Sequence, residues 1–236
     1  MLEFLDFCEK HWLIFLRSTF ENPIIFTLVK SCCETLYMVF FSSLFAMIFG
    51  LPLGVLLSVI KPSGILANPL FYRILGAIVN VVRSFPFIVL IILLLPLSKY
   101  LIGTSIGSTA AIIPLVIAAT PFIARLFEGA FDEVDKGLIE ATMSMGASKM
   151  RIILMMISES LPSLANAITI TAVSLVGFSA MAGVVGAGGL GDLAYRIGFQ
   201  SFKPDILAYA VICTIVIVQC IQSSGDLLIK RLRQHR

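Results

Sequence analysis

Charge is what this sequence has least of. Asp, Glu, Lys and Arg together make up 13% of its 236 residues, where a soluble globular domain carries about 25%. With 58% hydrophobic residues and a mean hydropathy of +1.01, the chain cannot be a soluble domain and must be dissolved largely in a bilayer. Histidine is nearly missing, with only His11 and His235. The five cysteines, Cys8, Cys32, Cys33, Cys213 and Cys220, are odd in number and lack paired spacings. A metal centre would need paired ligands with histidine partners, so no metal is expected and the cysteines read as small apolar packing residues. No Gly-x-x-x-x-Gly-Lys-Ser/Thr occurs, so the chain is not expected to hydrolyse ATP itself. His-Glu-x-x-His is missing too, and no carboxylate pair stands out within an apolar block. An enzyme reading has no residues to rest on, and no cofactor is expected. The net charge of +3 gathers in the C-terminal tail, where it fixes topology rather than binding nucleic acid, since no aromatic and basic residues interleave.

What the sequence does have is apolar length. The hydrophobic residues fall into blocks of about 20, the number an α-helix needs to cross a hydrocarbon core about 30 Å thick. The expected fold is therefore all-α and polytopic, with five transmembrane spans at about 32–60, 74–97, 108–127, 163–186 and 206–229. The first is long enough to tilt or to start outside the bilayer. Residues 1–30 mix Glu3, Asp6, Glu9, Lys10, Arg17, Glu21 and Lys30 with Phe, Leu and Trp12, and read as an interfacial amphipathic helix preceding a transmembrane domain over 31–230. The acidic start lacks the basic region, compact apolar run and small-residue site of a cleavable signal.

Orientation follows from where Lys and Arg fall. Lys61, Arg73, Arg83, Arg125, Lys136, Lys149, Arg151, Lys230, Arg231, Arg233 and Arg236 lie on one side of this topology, eleven of the seventeen basic residues. That side is expected to be cytoplasmic, which puts the N-terminus outside, the C-terminus inside and the long loop 125–160 in the cytoplasm.

Gly186-Ala187-Gly188-Gly189-Leu190-Gly191 contains a literal Gly-x-Gly-x-x-Gly. The dinucleotide fingerprint has meaning only between a strand and a helix. Here the glycines end an apolar span and read as a loop of closely packed backbones at the outer end of the pathway, which is tolerated where the backbone is buried in protein or lines a cavity. Pro86 in Arg83-Ser84-Phe85-Pro86-Phe87 and Pro121 in Thr120-Pro121-Phe122 each remove a helical hydrogen bond near the expected cytoplasmic boundary. They read either as gating kinks or as the ordinary prolines of membrane helices. Ser174, Ser179 and Met181 in the fourth span are candidates to line the route, with helix packing as the competing reading.

The polar segment Leu138-Ile139-Glu140-Ala141-Thr142-Met143-Ser144-Met145-Gly146 stands between long apolar stretches. Leu138, Ile139, Thr142 and Met145 can share one side of a short helix, Ala141 allows close approach, and Gly146 can end the helix in the left-handed region. The competing reading is a solvated interhelical loop. The pattern Glu-Ala-x, three residues, then Gly resembles the loop by which permease subunits of bacterial ABC importers dock on their cytosolic ATPase. That family closes the motif with Ile-x-Leu-Pro, and the nearest equivalent here is Ile157-Ser158-Glu159-Ser160-Leu161-Pro162.

The likeness extends over roughly 31–230. Glu34-Thr35-Leu36, Gly50-Leu51-Pro52-Leu53-Gly54-Val55-Leu56-Leu57, Arg83-Ser84-Phe85-Pro86-Phe87-Ile88, Gly103-Thr104-Ser105-Ile106-Gly107, Pro121-Phe122-Ile123-Ala124-Arg125 and Gly183 through Gly191 resemble the permease subunit of bacterial methionine ABC importers. The resemblance implies a type I importer fold in the inner membrane. It also implies a homodimer paired with two copies of a cytosolic ATPase, an extracytoplasmic substrate-binding lipoprotein, and transport by alternating access. A permease for another small solute, or a gradient-driven transporter without an ATPase, is the alternative. The latter would more often show ionisable groups within spans or an internal repeat.

Overall fold

The computed structural model describes residues 23–234, and every regular element among them is helical. The order is α1 (Pro23–Ile60), α2 (Pro69–Ser84), α3 (Phe87–Ile102), α4 (Ser108–Asp132), α5 (Lys136–Ser144), α6 (Lys149–Glu159), α7 (Leu161–Val184) and α8 (Gly189–Asp192). A π-helix (Leu193–Gln200) and α9 (Pro204–Gln234) complete it. Local chemistry sets the boundaries. Asn68 caps α2 by accepting the Phe71 N–H at 3.1 Å, with Pro69 at the first helical position, where its missing donor is not needed. Gly103, at φ 87°, ends α3 with its N–H on the Lys99 carbonyl.

Four helices, α1, α4, α7 and α9, are long and apolar enough to cross a membrane. The fifth expected span, 74–97, is not one helix. α2 and α3 meet at Phe85-Pro86 with a bend of 102°, so five spans result only when this broken pair counts as one. The reason is Pro86: its ring forbids the helical hydrogen bond and forces the preceding Phe85 into extended backbone, φ −69° and ψ 130°. Pro121, by contrast, lies inside an unbroken α4. α9 outruns its apolar block because polar residues such as Lys230 and Arg231 continue a helix once water can solvate them. The interfacial segment expected over 1–30 lies outside the described residues up to 22. Its last residues belong to α1.

The chain divides into two compact units. One comprises Pro86–Val116, Val173–Cys220 and the described residues up to Ser42. Its core holds Met38, Ile91, Leu115, Leu175 and Leu190, and Phe87 stacks on Phe178 at 4.8 Å. The other comprises Ser43–Phe85, Ile117–Ala172 and the C-terminal part of α9. Its core holds Leu57, Ile123, Phe127, Phe131, Ile152 and Met156. There α1 and α4 approach backbone to backbone: a Cβ on Gly54 would stand 2.7 Å from Phe127 Cβ and 2.9 Å from the Ala124 carbonyl. Small residues four apart give apolar helices this close contact.

Candidate functional site

α5 and α6 form a helical hairpin in the second unit. Asp135 caps α5, its carboxylate accepting the Gly137 N–H at 2.6 Å. At the far end the Gly146 N–H bonds to the Met143 carbonyl at 2.9 Å and the Ala147 N–H to the Thr142 carbonyl at 3.3 Å, the paired bonds of a Schellman stop. Gly146 has φ 74°, a region that costs an L-residue about 1 kcal/mol or more. No atom lies within 4 Å of a Cβ built on it, so conformation rather than space selects glycine there.

Capping matters because little packing holds α5. None of its nine residues is buried, and an isolated helix shorter than about 12 residues is marginal in water. Leu138, Met143 and Met145 are exposed, Met145 at 79%, with Met150 and Leu154 exposed on α6. Ile139 and Thr142 are half-buried, while Glu140 and Ala141 are exposed. Thr142 and Ser144 spend their hydroxyls on the Leu138 and Glu140 carbonyls, at 2.7 and 2.9 Å. α6 is anchored differently: Ile152 and Met156 are buried, and Met156 lines a small cavity with Val55, Ser58 and Phe131. The root of the hairpin is tied by Lys61 to Asp132 and by Ser163 to Glu133. α5 is thus a capped helix with exposed apolar residues on a fixed root.

The glycine-rich segment of the first unit is a built backbone site. Glu34 and Thr35 on α1 accept the N–H groups of Gly189 and Leu190 at 2.7 and 2.9 Å, capping α8 from 155 residues away. Lys30 stands 3.5 Å from the same carboxylate. Ser108 donates to the Ala187 carbonyl at 3.1 Å, and the Gly107 N–H reaches the Gly186 carbonyl at 3.0 Å. Gly188 and Gly189 have φ of 80° and 78°, and a Cβ on Gly188 would stand 2.8 Å from Glu34 Oε2. The segment cradles a carboxylate of its own chain. Beyond it, Arg196 bonds Asp192 through Nε and Nη2 at 3.1 and 2.8 Å, which raises its pKa.

The remaining candidates separate. Pro86 is exposed at the start of α3, and Pro121 is buried in α4. On α7, Ser174 and Met181 share a stripe with exposed Gly177 and Val184. Ser179 lies on the opposite face, 1% exposed, donating to the Val176 carbonyl at 2.8 Å. Sequence reasoning missed Tyr72, Asn80 and Glu128, which gather around Arg125. Glu128 three residues after Arg125 was the available signal, since an i, i+3 pair of opposite charges at the end of an apolar helix is seldom idle.

Long apolar helices, a broken span and an exposed hairpin, with no nucleotide-binding motif beside them, are the parts of a membrane component rather than an energy-consuming subunit. Residues 50–234 match the family described as binding-protein-dependent transport system inner membrane component, and the chain belongs to that family. It is 49% identical over 210 residues, 89% of its length and 93% of the relative's, to the probable D-methionine transport system permease protein MetI of Vibrio cholerae. To the D-methionine transport system permease protein MetI of Escherichia coli K12 it is 49% identical over 164 residues, 69% of this chain and 76% of that one. Among solved structures it is similar to a chain of the inward-facing MetNI methionine ABC transporter. The TM-score there is 0.88 at 44% identity, over 90% of this chain and 99% of that chain.

Proposed function

We propose that this chain is the translocation subunit of an ATP-driven methionine importer, D- or L-, which it moves inward by alternating access. It contributes differential packing of two states, while a separate ATPase supplies the energy. Two copies of the chain would pair with two ATPase subunits, and an extracytoplasmic binding protein would deliver the substrate. The relatives' names supply the substrate class. The observation that carries the coupling role is α5, a capped helix with no buried residue that presents Leu138, Met143 and Met145. Glu140, Ala141 and Gly146 complete the surface the ATPase would cover.

The orientation supported by the Lys/Arg asymmetry is N-terminus out and C-terminus in. In a cysteine-free background, Lys203→Cys should react with an impermeant reagent on intact spheroplasts while Lys136→Cys stays protected; the reverse pattern overturns the topology. Purified alone in liposomes, the chain should neither hydrolyse ATP nor concentrate methionine. Reconstituted with the ATPase that co-purifies with it and with its binding protein, it should do both. Accumulation driven by a proton or sodium gradient alone would sink the ATP-coupled reading.

A further inference from the structure

α2 and α4 are fastened by a polar ladder. The Tyr72 hydroxyl donates to Glu128 Oε1 at 2.8 Å. Further along α2, Arg125 Nη2 donates to the Gly76 carbonyl at 3.1 Å and to Asn80 Oδ1 at 3.2 Å. Further still, the Arg83 guanidinium lies 5.9 Å from the centre of the Phe122 ring. Numbers rise along α2 as they fall along α4, so the contacts form antiparallel rungs. Arg125 Nη1 and Glu128 Oε2 join two rungs at 2.7 Å. Glu128 is 6% exposed, and a Cβ on Gly76 would stand 2.9 Å from Arg125 Nη2, so glycine leaves the guanidinium its seat.

Stability alone does not explain this choice of residues. Buried ion pairs can often be replaced by well-packed apolar groups with no loss, and both helices are otherwise rich in Val, Ile, Leu and Phe. Directional bonds supply what apolar packing lacks, a single register. α4 ends at Asp132, and three residues separate it from α5. There Lys61 holds Asp132 and Ser163 holds Glu133. The ladder and the hairpin lie within one compact unit.

We infer that Tyr72, Asn80, Arg125 and Glu128 act as a coupling strut. They make α2 travel with α4 when the hairpin is displaced, so that the displacement reaches the Phe85 end of α2 instead of being lost as sliding between the two helices. These are positioning residues and touch no substrate. The inference rests on the ATP-coupled reading above and names how that coupling is carried.

The test uses proteoliposomes holding the chain, its co-purifying ATPase and its binding protein, with labelled methionine uptake and ATP hydrolysis measured together. Parental liposomes first report on the reading itself: if they show no ATP-driven uptake, the ATP-coupled function fails whatever the variants do. Given parental coupling, Tyr72→Phe and Asn80→Ala should bind the ATPase normally and keep its hydrolysis within about twofold, while methionine moved per ATP falls about tenfold, within the range of ordinary coupling between sites. Asn68→Ala removes a cap from the same helix without touching the ladder and should keep the parental ratio. A ratio within twofold of parental for both ladder variants overturns the strut. So does an equal fall in Asn68→Ala, which would make the effect one of α2 stability in general.

Discussion

The two compact units are built from the same four long helices, each of which passes from one unit into the other, yet their chemistry differs. Among the described residues, the unit containing Ser43–Phe85, Ile117–Ala172 and the C-terminal part of α9 holds ten of the basic residues assigned above to one membrane side. The other holds four, Lys30, Lys99, Arg196 and Lys203. The basic unit is held by side chain on side chain: Tyr72 with Glu128, Arg125 with Asn80, Lys61 with Asp132. In the other, beside the Lys30–Glu34 and Arg196–Asp192 pairs, Glu34, Thr35 and Ser108 each bond to the backbone of the glycine-rich segment. Backbone bonded at close approach gives a rigid seat that glycine alone can occupy. Side-chain rungs between helices can be broken and remade, and they sit in the unit that carries the exposed hairpin.

The largest expected effect tests the hairpin as a surface rather than a structural part. Gly146→Asp and Glu140→Lys should insert and dimerise near normally but lose ATPase association and transport altogether. Degradation of either variant while neighbouring substitutions behave well would make the hairpin a folding element. Parental binding and transport in both would make it an ordinary solvated loop.

Next come the glycine-rich seat and its carboxylate. Gly188→Ala brings a Cβ against Glu34 Oε2 in a backbone region that costs about 1–3 kcal/mol for an L-residue. Glu34→Ala strands the Gly189 N–H, at about 1–3 kcal/mol. Both should lower the SDS concentration that unfolds the purified chain while ATPase association persists. Equal loss of ATPase association in these variants would erase the distinction between the units. Glu34→Gln keeps an acceptor and should fall between wild type and Glu34→Ala.

The smallest effect belongs to the basic unit's outermost tie. Lys61 and Asp132 have side chains 21% and 49% exposed, and exposed pairs contribute about 0–1 kcal/mol. Lys61→Ala should therefore shift SDS unfolding barely and in a salt-dependent way. A shift as large as that of Glu34→Ala would show that the hairpin root is structural throughout.

Much of the fold was legible because a bilayer restricts a chain to few options. Blocks of about 20 apolar residues must be helices there, and α1, α4, α7 and α9 lie where those blocks are. The short helix before Gly146 was legible for a similar reason: Gly146 after a short run with helical spacing permits little other than a left-handed stop. Pro86 and Pro121 were not separable, since both remove one bond from an apolar helix. Only the surroundings decide, leaving Pro86 exposed at a break and Pro121 packed inside a continuous α4. Ser174 and Ser179 looked equivalent as well, until the turn of α7 put them on opposite faces.

By itself the sequence determined that this chain lives in a membrane, crosses it as helices, carries no phosphate-binding loop for ATP and places a short helix before Gly146. Each of these follows from composition or local backbone preference, which tertiary context does not override. Tertiary structure alone decided that Glu34 would be answered by Gly189 and that Arg125 would reach Tyr72 and Asn80. Those partners are 45 to 155 residues apart, and no local rule of spacing reaches across such a distance.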